Sequence, residues 1–170
     1  MNATGKICYN PHCRLTLLGE GRLVVGYFIQ ELTLNDYAAV RELWASSKGI
    51  ELGGSDSREG IARFLERNPG LSFVALDGDQ IVGAVLCGHD GRRGYIDQLV
   101  VRDSHRRQGI GRSLVSRCVY NLMRIGIRKW HLFVFEDNEP ALAFWGSLGW
   151  AKRVELVTMS RQANEGSEIT

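Results

Sequence analysis

Tyr95-Ile-Asp-Gln-Leu-Val-Val101, and shortly after it Arg106-Arg107-Gln108-Gly109-Ile110-Gly111-Arg112-Ser113, decide the fold of this chain. The first run is apolar and strand-like. Beyond the second, Leu114, Val115, Cys118, Leu122 and Ile125 recur at spacings of three and four, the mark of an amphipathic helix. A strand, a short basic glycine turn and a helix in succession offer unsatisfied main-chain N–H groups and a positive helix end to an anion. Gly109 and Gly111 lack a Cβ, so a phosphate can approach the main chain, and Arg106, Arg107 and Arg112 surround the spot with charge. We read residues 106–113 as a pyrophosphate cradle, with Gln108, Ile110 and Ser113 as parts of the same run. A Walker A loop would end in Gly-Lys-Ser/Thr, whereas Arg112 follows Gly111 here. A dinucleotide-binding fingerprint would carry a third glycine at position 114, which is leucine. Spacing alone also admits a glycine-containing helix start with solvated arginines.

The same residues resemble a family. Arg106-x-x-Gly109-x-Gly111 is similar to the (Gln/Arg)-x-x-Gly-x-(Gly/Ala) motif with which the GNAT N-acetyltransferases hold the pyrophosphate of acetyl-CoA. A second segment, Asn138-x-x-Ala141-x-x-Phe144-Trp145-x-x-x-Gly149-Trp150, resembles the family's Asn-x-x-Ala-x-x-x-Tyr-x-x-x-Gly-Phe. The resemblance covers roughly Tyr27 to Ser160, the size of one domain. It implies an α/β GNAT fold: a mixed, mostly antiparallel sheet, splayed between its fourth and fifth strands, with helices on both faces. Residues 1–26 then form an N-terminal extension, 27–160 the acetyltransferase domain and 161–170 a polar tail.

Composition is that of an ordinary globular domain. The chain has 170 residues, 44% of them hydrophobic, and a net charge of only +2. The arginines gather around positions 102–117, which suits a phosphate ligand better than a nucleic acid or a membrane surface. No apolar run is long enough to span a bilayer and the start lacks a secretory apolar segment, so a cytoplasmic protein is expected. Of four cysteines, Cys87 and Cys118 fall in apolar patterns and read as reduced core residues. Cys8, His12 and Cys13 do not have zinc-knuckle spacing, and no metal is expected.

Working outward, Ile7-Cys8-Tyr9 and Leu15–Leu18 could pair across Asn10-Pro11 as a hairpin, or Gly19–Gly21 could be a joint behind a tail. Phe28–Leu32 reads as a strand, and Thr33–Asp36 as the cap of a helix carrying Tyr37, Val40, Leu43 and Trp44. After a loop over Gly49–Ser57, Asp56 and Glu59 stand at capping-box spacing before a second helix with Ile61, Phe64 and Leu65. Leu71–Leu76 and Gln80–His89 flank Asp77-Gly78-Asp79, a hairpin signal, and a turn at Asp90–Gly94 leads into the central strand. Strand Trp130–Phe135, a helix capped by Asp137 or Asn138, and a final strand Trp150–Ser160 complete the sheet.

In the central strand Tyr95, Asp97, Leu99 and Val101 share a face by the period of two. The resemblance implies that pantetheine lies between this strand and the next, near Val134, bound through the main chain of Leu99, Val100 and Val101. The Leu99 N–H would then donate to the thioester carbonyl, and Asn138, Ala141 and Trp145 would belong to the cofactor side. It also makes Asp97 the candidate general base, directly or through water, while the residues alone admit a carboxylate paired with Arg92 or Arg93. The resemblance further implies that the first two helices and their loop wall the acceptor site, which here offers Trp44, Glu51, Asp56 and Glu59, with Tyr95 a further candidate; the residues alone also read as core, caps or solvated surface. Where the family usually has a tyrosine to protonate the departing thiolate, this chain has Trp145, whose indole N–H donates a hydrogen bond but gives up no proton at neutral pH. The expected activity is direct acetyl transfer from acetyl-CoA to a primary amine of a small molecule or a protein N-terminus, by a monomer or homodimer. The alternatives are a longer acyl-CoA, or a CoA-binding regulatory protein of weak catalysis.

Overall fold

The computed structural model describes residues 15–18 and 22–161. These fall into two compact units divided between Phe135 and Glu136. The first unit begins with β1 (Leu15–Leu18) paired antiparallel to β2 (Arg22–Val25), apart from the main sheet. The strand expected at Leu15–Leu18 therefore forms, but its partner is Arg22–Val25. Ile7–Tyr9 and the Cys8, His12, Cys13 cluster lie outside the described residues.

The main sheet has the order β3 (Phe28–Glu31), β4 (Phe73–Asp77), β5 (Gln80–His89), β6 (Gly94–Val101), β7 (Trp130–His131). The first four strands are mutually antiparallel, and β7 joins β6 in parallel, so the sheet is mixed as expected. The β4–β5 hairpin turns through Gly78, whose φ of +58° explains a glycine there. α1 (Tyr37–Ala45) and α2 (Arg58–Arg67) cover one face of the sheet. There Val40, Leu43, Trp44 and Ile61 pack against Val74, Leu76, Ala84, Leu86 and Val100. α3 (Ile110–Arg124) covers the other face with Leu114, Cys118 and Leu122. The alternation of β4 and β5 supplies both faces with apolar side chains, which is why these strands read as continuous hydrophobic runs. α3 lies unusually close to β5. A Cβ at Gly83 would stand 3.1 Å from Ile110 Cγ2 and 3.2 Å from Leu114 Cδ1.

Three expectations need correction. α2 is capped by Ser57, whose hydroxyl accepts from the Gly60 N–H at 3.2 Å, and not by an Asp56–Glu59 box. The fifth strand is only Trp130–His131; residues 132–135 leave the sheet. Finally, Trp150–Ser160 forms no strand: Val154, Leu156, Val157 and Met159 are exposed, and no described strand pairs with the segment. Alternating apolar residues specify faces, but a strand also needs a free edge to bond to.

The second unit holds α4 (Glu139–Ser147). Asn138 caps it, its Oδ1 accepting the Ala141 N–H at 3.2 Å, with Pro140 in the first turn. The helix stops at Gly149, in the left-handed region at φ +84°. Trp145 is buried between Phe144 and Trp150, each ring 5.2 Å away and edge-on.

Candidate active site

The β6 strand carries one extra residue. Ala84 pairs with Val100 but Leu86 pairs with Asp97, so Gln98 and Leu99 together oppose Val85. Gln98 takes φ +48°, a left-handed conformation unusual for a side chain of its size. The bulge breaks the period of two, which corrects the expectation that Tyr95, Asp97, Leu99 and Val101 share a face. Residues directly opposite in a ladder share a face. Asp97 therefore joins Val100, Ala84 and Leu86 on the side of α1 and α2, while Val101 lies with Gly83 on the side of α3.

The bulge also aims the main chain. The Gly94 N–H donates to Lys129 O at 2.9 Å, on the β7 side, and the Arg102 N–H donates to Val82 O at 2.8 Å, on the β5 side. Alternation back from Arg102 turns the main-chain groups of Val101 and Leu99 away from β5, and those of Val100 toward it. β7 pairs with β6 only at Gly94 and Tyr95, so no described strand faces β6 at Leu99 and Val101. This is the splay between the fourth and fifth strands of the main sheet.

Directly after β6, a 3₁₀ turn over Asp103–His105 leads to Arg107 at φ +62° and Gly109 at φ +83°. Gly109 starts α3 without any side-chain cap, and the first helical bond runs from Ser113 N to Gly109 O at 3.0 Å. The N–H groups of Ile110, Gly111 and Arg112 therefore have no acceptor within the helix. Arg106, Arg107 and Arg112 are exposed around them. Arg106 pairs with Asp103 at 2.7 Å and donates through Nε to Val101 O at 3.2 Å, whereas Arg107 and Arg112 have no partner among the described residues. Gln108 is exposed, Ile110 is buried beneath β5, and Ser113 Oγ lies 3.0 Å from the Tyr27 hydroxyl.

On the other side of β6, Asp97 is half-buried, and it pairs with neither Arg92 nor Arg93. Those two arginines donate their main-chain N–H groups to Asp90. Burial pushes the Asp97 carboxyl above its usual range, and the negative charge of Asp56 pushes it further. In the sequence Asp56 reads as a cap or surface acid, or, by the resemblance, as part of the acceptor wall. It is 7% exposed, and it accepts from Gly53 N–H at 2.7 Å and from Gln98 Nε2 at 2.6 Å. Tyr95 is half-buried, its hydroxyl 3.4 Å from Asp90 Oδ2 and its ring 5.9 Å from that of His131. Trp44 is fully buried in the core cluster and presents no surface to an acceptor, while Glu51 is exposed. Asn138, Ala141 and Trp145 belong to the second unit. Among the described residues no cluster of three or more His, Cys, Asp or Glu could hold a metal ion, and no helix is long and apolar enough to cross a membrane.

In this chain a mixed sheet opens beside a bulged strand, and an arginine-rich helix start follows the end of that strand. The sequence profile of the acetyltransferase (GNAT) family matches residues 37–150, and the chain belongs to that family. It is 33% identical over 134 residues to an acetyltransferase of Pectobacterium atrosepticum, covering 79% of this chain and 94% of that one. It is 35% identical over 98 residues to N-alpha-acetyltransferase 30 of Schizosaccharomyces pombe, covering 55% and 65% of the two chains. Its fold is similar to that of the PaiA N-acetyltransferase of Thermoplasma acidophilum, solved in complex with coenzyme A. There the TM-score is 0.65, with 16% identity and 72% and 87% of the two chains covered. The protein is an acetyltransferase of the GNAT type.

Proposed function

We propose that this acetyltransferase draws its acetyl group from acetyl-CoA and delivers it to a primary amine of a small molecule or a protein N-terminus. The observation that carries this reading is the open start of α3, with free N–H groups and exposed arginines directly after the unpaired edge of β6. A diphosphate fits there: Gly109 has no Cβ, and the first-turn N–H groups with Arg106, Arg107 and Arg112 supply donors and positive charge. Acetyl-CoA, when bound, supplies an acetyl group activated as a thioester.

The residues of this chain then have separate tasks. Main-chain groups of Leu99 and Val101 bind the pantetheine arm as a strand would, and Val100 holds its own place against β5. The Leu99 N–H donates to the thioester carbonyl and to the negative charge that grows on its oxygen. An alkylamine of pKa near 10.4 is roughly one part in a few thousand neutral at pH 7, so a base must take its proton. Asp97 takes that role, directly or through water, and its raised pKa makes it a stronger base than an ordinary aspartate. Most of the acceleration comes from holding amine and thioester in line. The roles of Asn138, Ala141 and Trp145 rest on the family resemblance alone, Trp145 hydrogen-bonding the sulfur as it leaves. The name of the Schizosaccharomyces relative favours a protein N-terminus as acceptor.

The test is calorimetric titration of acetyl-CoA into the wild type and a Gly109→Glu, Gly111→Glu variant, followed by thiol release with a panel of small amines and N-terminal peptides. Binding that the folded variant loses, with turnover of at least one amine, supports the reading. A folded wild type that does not bind acetyl-CoA refutes it. Binding without turnover across the panel leaves a CoA-binding protein instead.

A further inference from the structure

The acetyl-transfer reading uses Asp97 and the Leu99 main chain, and both depend on the bulge that separates them. Gln98 adopts its left-handed φ of +48° without the freedom of a glycine, so something must hold it. The holder lies far away in the sequence. Gln98 Nε2 donates to Asp56 Oδ1 at 2.6 Å, Asp56 Oδ2 accepts from Gly53 N–H at 2.7 Å, and the Tyr37 hydroxyl donates to the Asp56 carbonyl at 2.9 Å. The carboxylate of Asp56 thus joins the loop before α2 to the bulge of β6, and its main-chain carbonyl ties the same residue to the first turn of α1.

The 3₁₀ turn that Asp56 closes, Gly54–Asp56, does not require this arrangement. A second 3₁₀ turn, Leu34–Asp36, is closed in the same way, Asp36 Oδ2 accepting the Thr33 N–H at 2.8 Å, and it does so at the surface without a strand partner. Closing such a turn takes one carboxylate oxygen. Asp56 differs in being buried and in giving its other oxygen to Gln98. Placing a second carboxylate near Asp97 also disfavours the charged pair. A buried aspartate here is expensive unless the bond to Gln98 is needed. We propose that Asp56 and Gln98 form a clamp that keeps β6 in its bulged register, making Asp56 a positioning residue for acetyl transfer through the Leu99 N–H. The proposal rests on the acetyl-transfer reading for its catalytic consequence, but not for the clamp itself.

Asp56→Ala, Gln98→Ala, the double variant and Asp56→Asn would be compared in the full chain. Two readouts apply: amide shifts and hydrogen exchange over Asp97–Val101 without ligand, and kcat and KM with acetyl-CoA and the fastest amine of the panel. Gln98→Ala removes only a half-buried side chain, so it reports even if Asp56→Ala does not fold. Each alanine variant is expected to move the Leu99 amide shift and speed exchange at Val100. Each should lower kcat about 10–100-fold, the effect of an ångström-scale misplacement, with KM for acetyl-CoA changed less than about threefold. The double variant should be no worse than the poorer single one. Asp56→Asn should recover most of the activity, because its carbonyl still accepts from Gly53 and its amide can donate to Gln98 Oε1, which is buried without a partner. Unchanged shifts in Gln98→Ala, effects that multiply in the double variant, or an Asp56→Asn as poor as Asp56→Ala would each overturn the clamp. If the wild type turns over no amine, the acetyl-transfer reading fails by itself, and the Leu99 shift still decides whether the clamp holds the bulge.

Discussion

Gly83→Ala adds a single methyl where β5 meets α3, and the structure fixes what it meets. The new Cβ would sit 3.1 Å from Ile110 Cγ2, 3.2 Å from Leu114 Cδ1 and 3.4 Å from Val100 O. Carbon pairs rest at about 3.5–4.0 Å, so both side chains must retreat by several tenths of an ångström. Neither has space to do so, because Ile110 and Leu114 are almost fully buried. Overpacking of this kind destabilises by about 1–3 kcal/mol, and replacing a strand glycine by alanine returns about 0.5–1 kcal/mol of backbone entropy. At the centre of those ranges the net loss is about 1 kcal/mol, or roughly 2–4 °C in Tm for a chain of this size. Urea unfolding followed by tryptophan fluorescence measures it, with Gly146→Ala as a contrast. A Cβ at Gly146 meets nothing within 4 Å on α4, so that change should stabilise by about 0.5–1 kcal/mol. Because Ile110 opens α3, Gly83→Ala should also weaken acetyl-CoA binding severalfold. A Gly83→Ala protein as stable as the wild type would show that α3 does not press on β5 as described.

Asp97→Asn should raise Tm at neutral pH while lowering kcat by at least tenfold. The folded pKa of Asp97 lies above its unfolded value, so its charging opposes folding at pH values above the folded pKa and ceases to do so below the unfolded one. The Tm advantage of the variant should therefore shrink as pH falls through that range; an advantage that grows instead would contradict the burial of the carboxylate. Ser57→Ala should cost about 1 kcal/mol through loss of the α2 cap. Removing Glu59 should have little effect, and the reverse order in chemical denaturation would restore the Asp56–Glu59 box. For Trp145, a role at the sulfur predicts that Trp145→Ala lowers kcat and Trp145→Tyr does not; equal kcat in all three proteins would remove that role.

The helices and the antiparallel meander were legible because their signals are local. Val40, Leu43 and Trp44 mark the buried stripe of α1, and Gly78 marks the β4–β5 turn. The glycine turn before α3 was legible for the same reason, since Gly109 does take the left-handed conformation that its position demands. What escaped the sequence is non-local. No glycine announces the bulge at Gln98, because its backbone is held by Asp56, more than forty residues earlier. A period-two reading of β6 therefore sends Val101 to the wrong face. Asp56 itself looked like a cap, and only tertiary structure shows its second oxygen at work. Trp150–Ser160 has the alternation of a strand, but the sequence does not reveal whether an edge is available to receive it.

Cys87 of β5 and Cys118 of α3 are fully buried, and the Cys118 thiol donates to Leu71 O at 3.4 Å. Burial, reinforced by the neighbouring Cys87, pushes the Cys118 thiol well above the usual range, so at neutral pH it offers almost no thiolate to a reagent. Alkylation must then wait for the sheet and the helix to part. In a chain with Cys8 and Cys13 replaced by serine, the rate of thiol labelling becomes a clock for that separation. Read with and without acetyl-CoA, it would report whether the binding proposed at one end of α3 tightens the seam along its whole length.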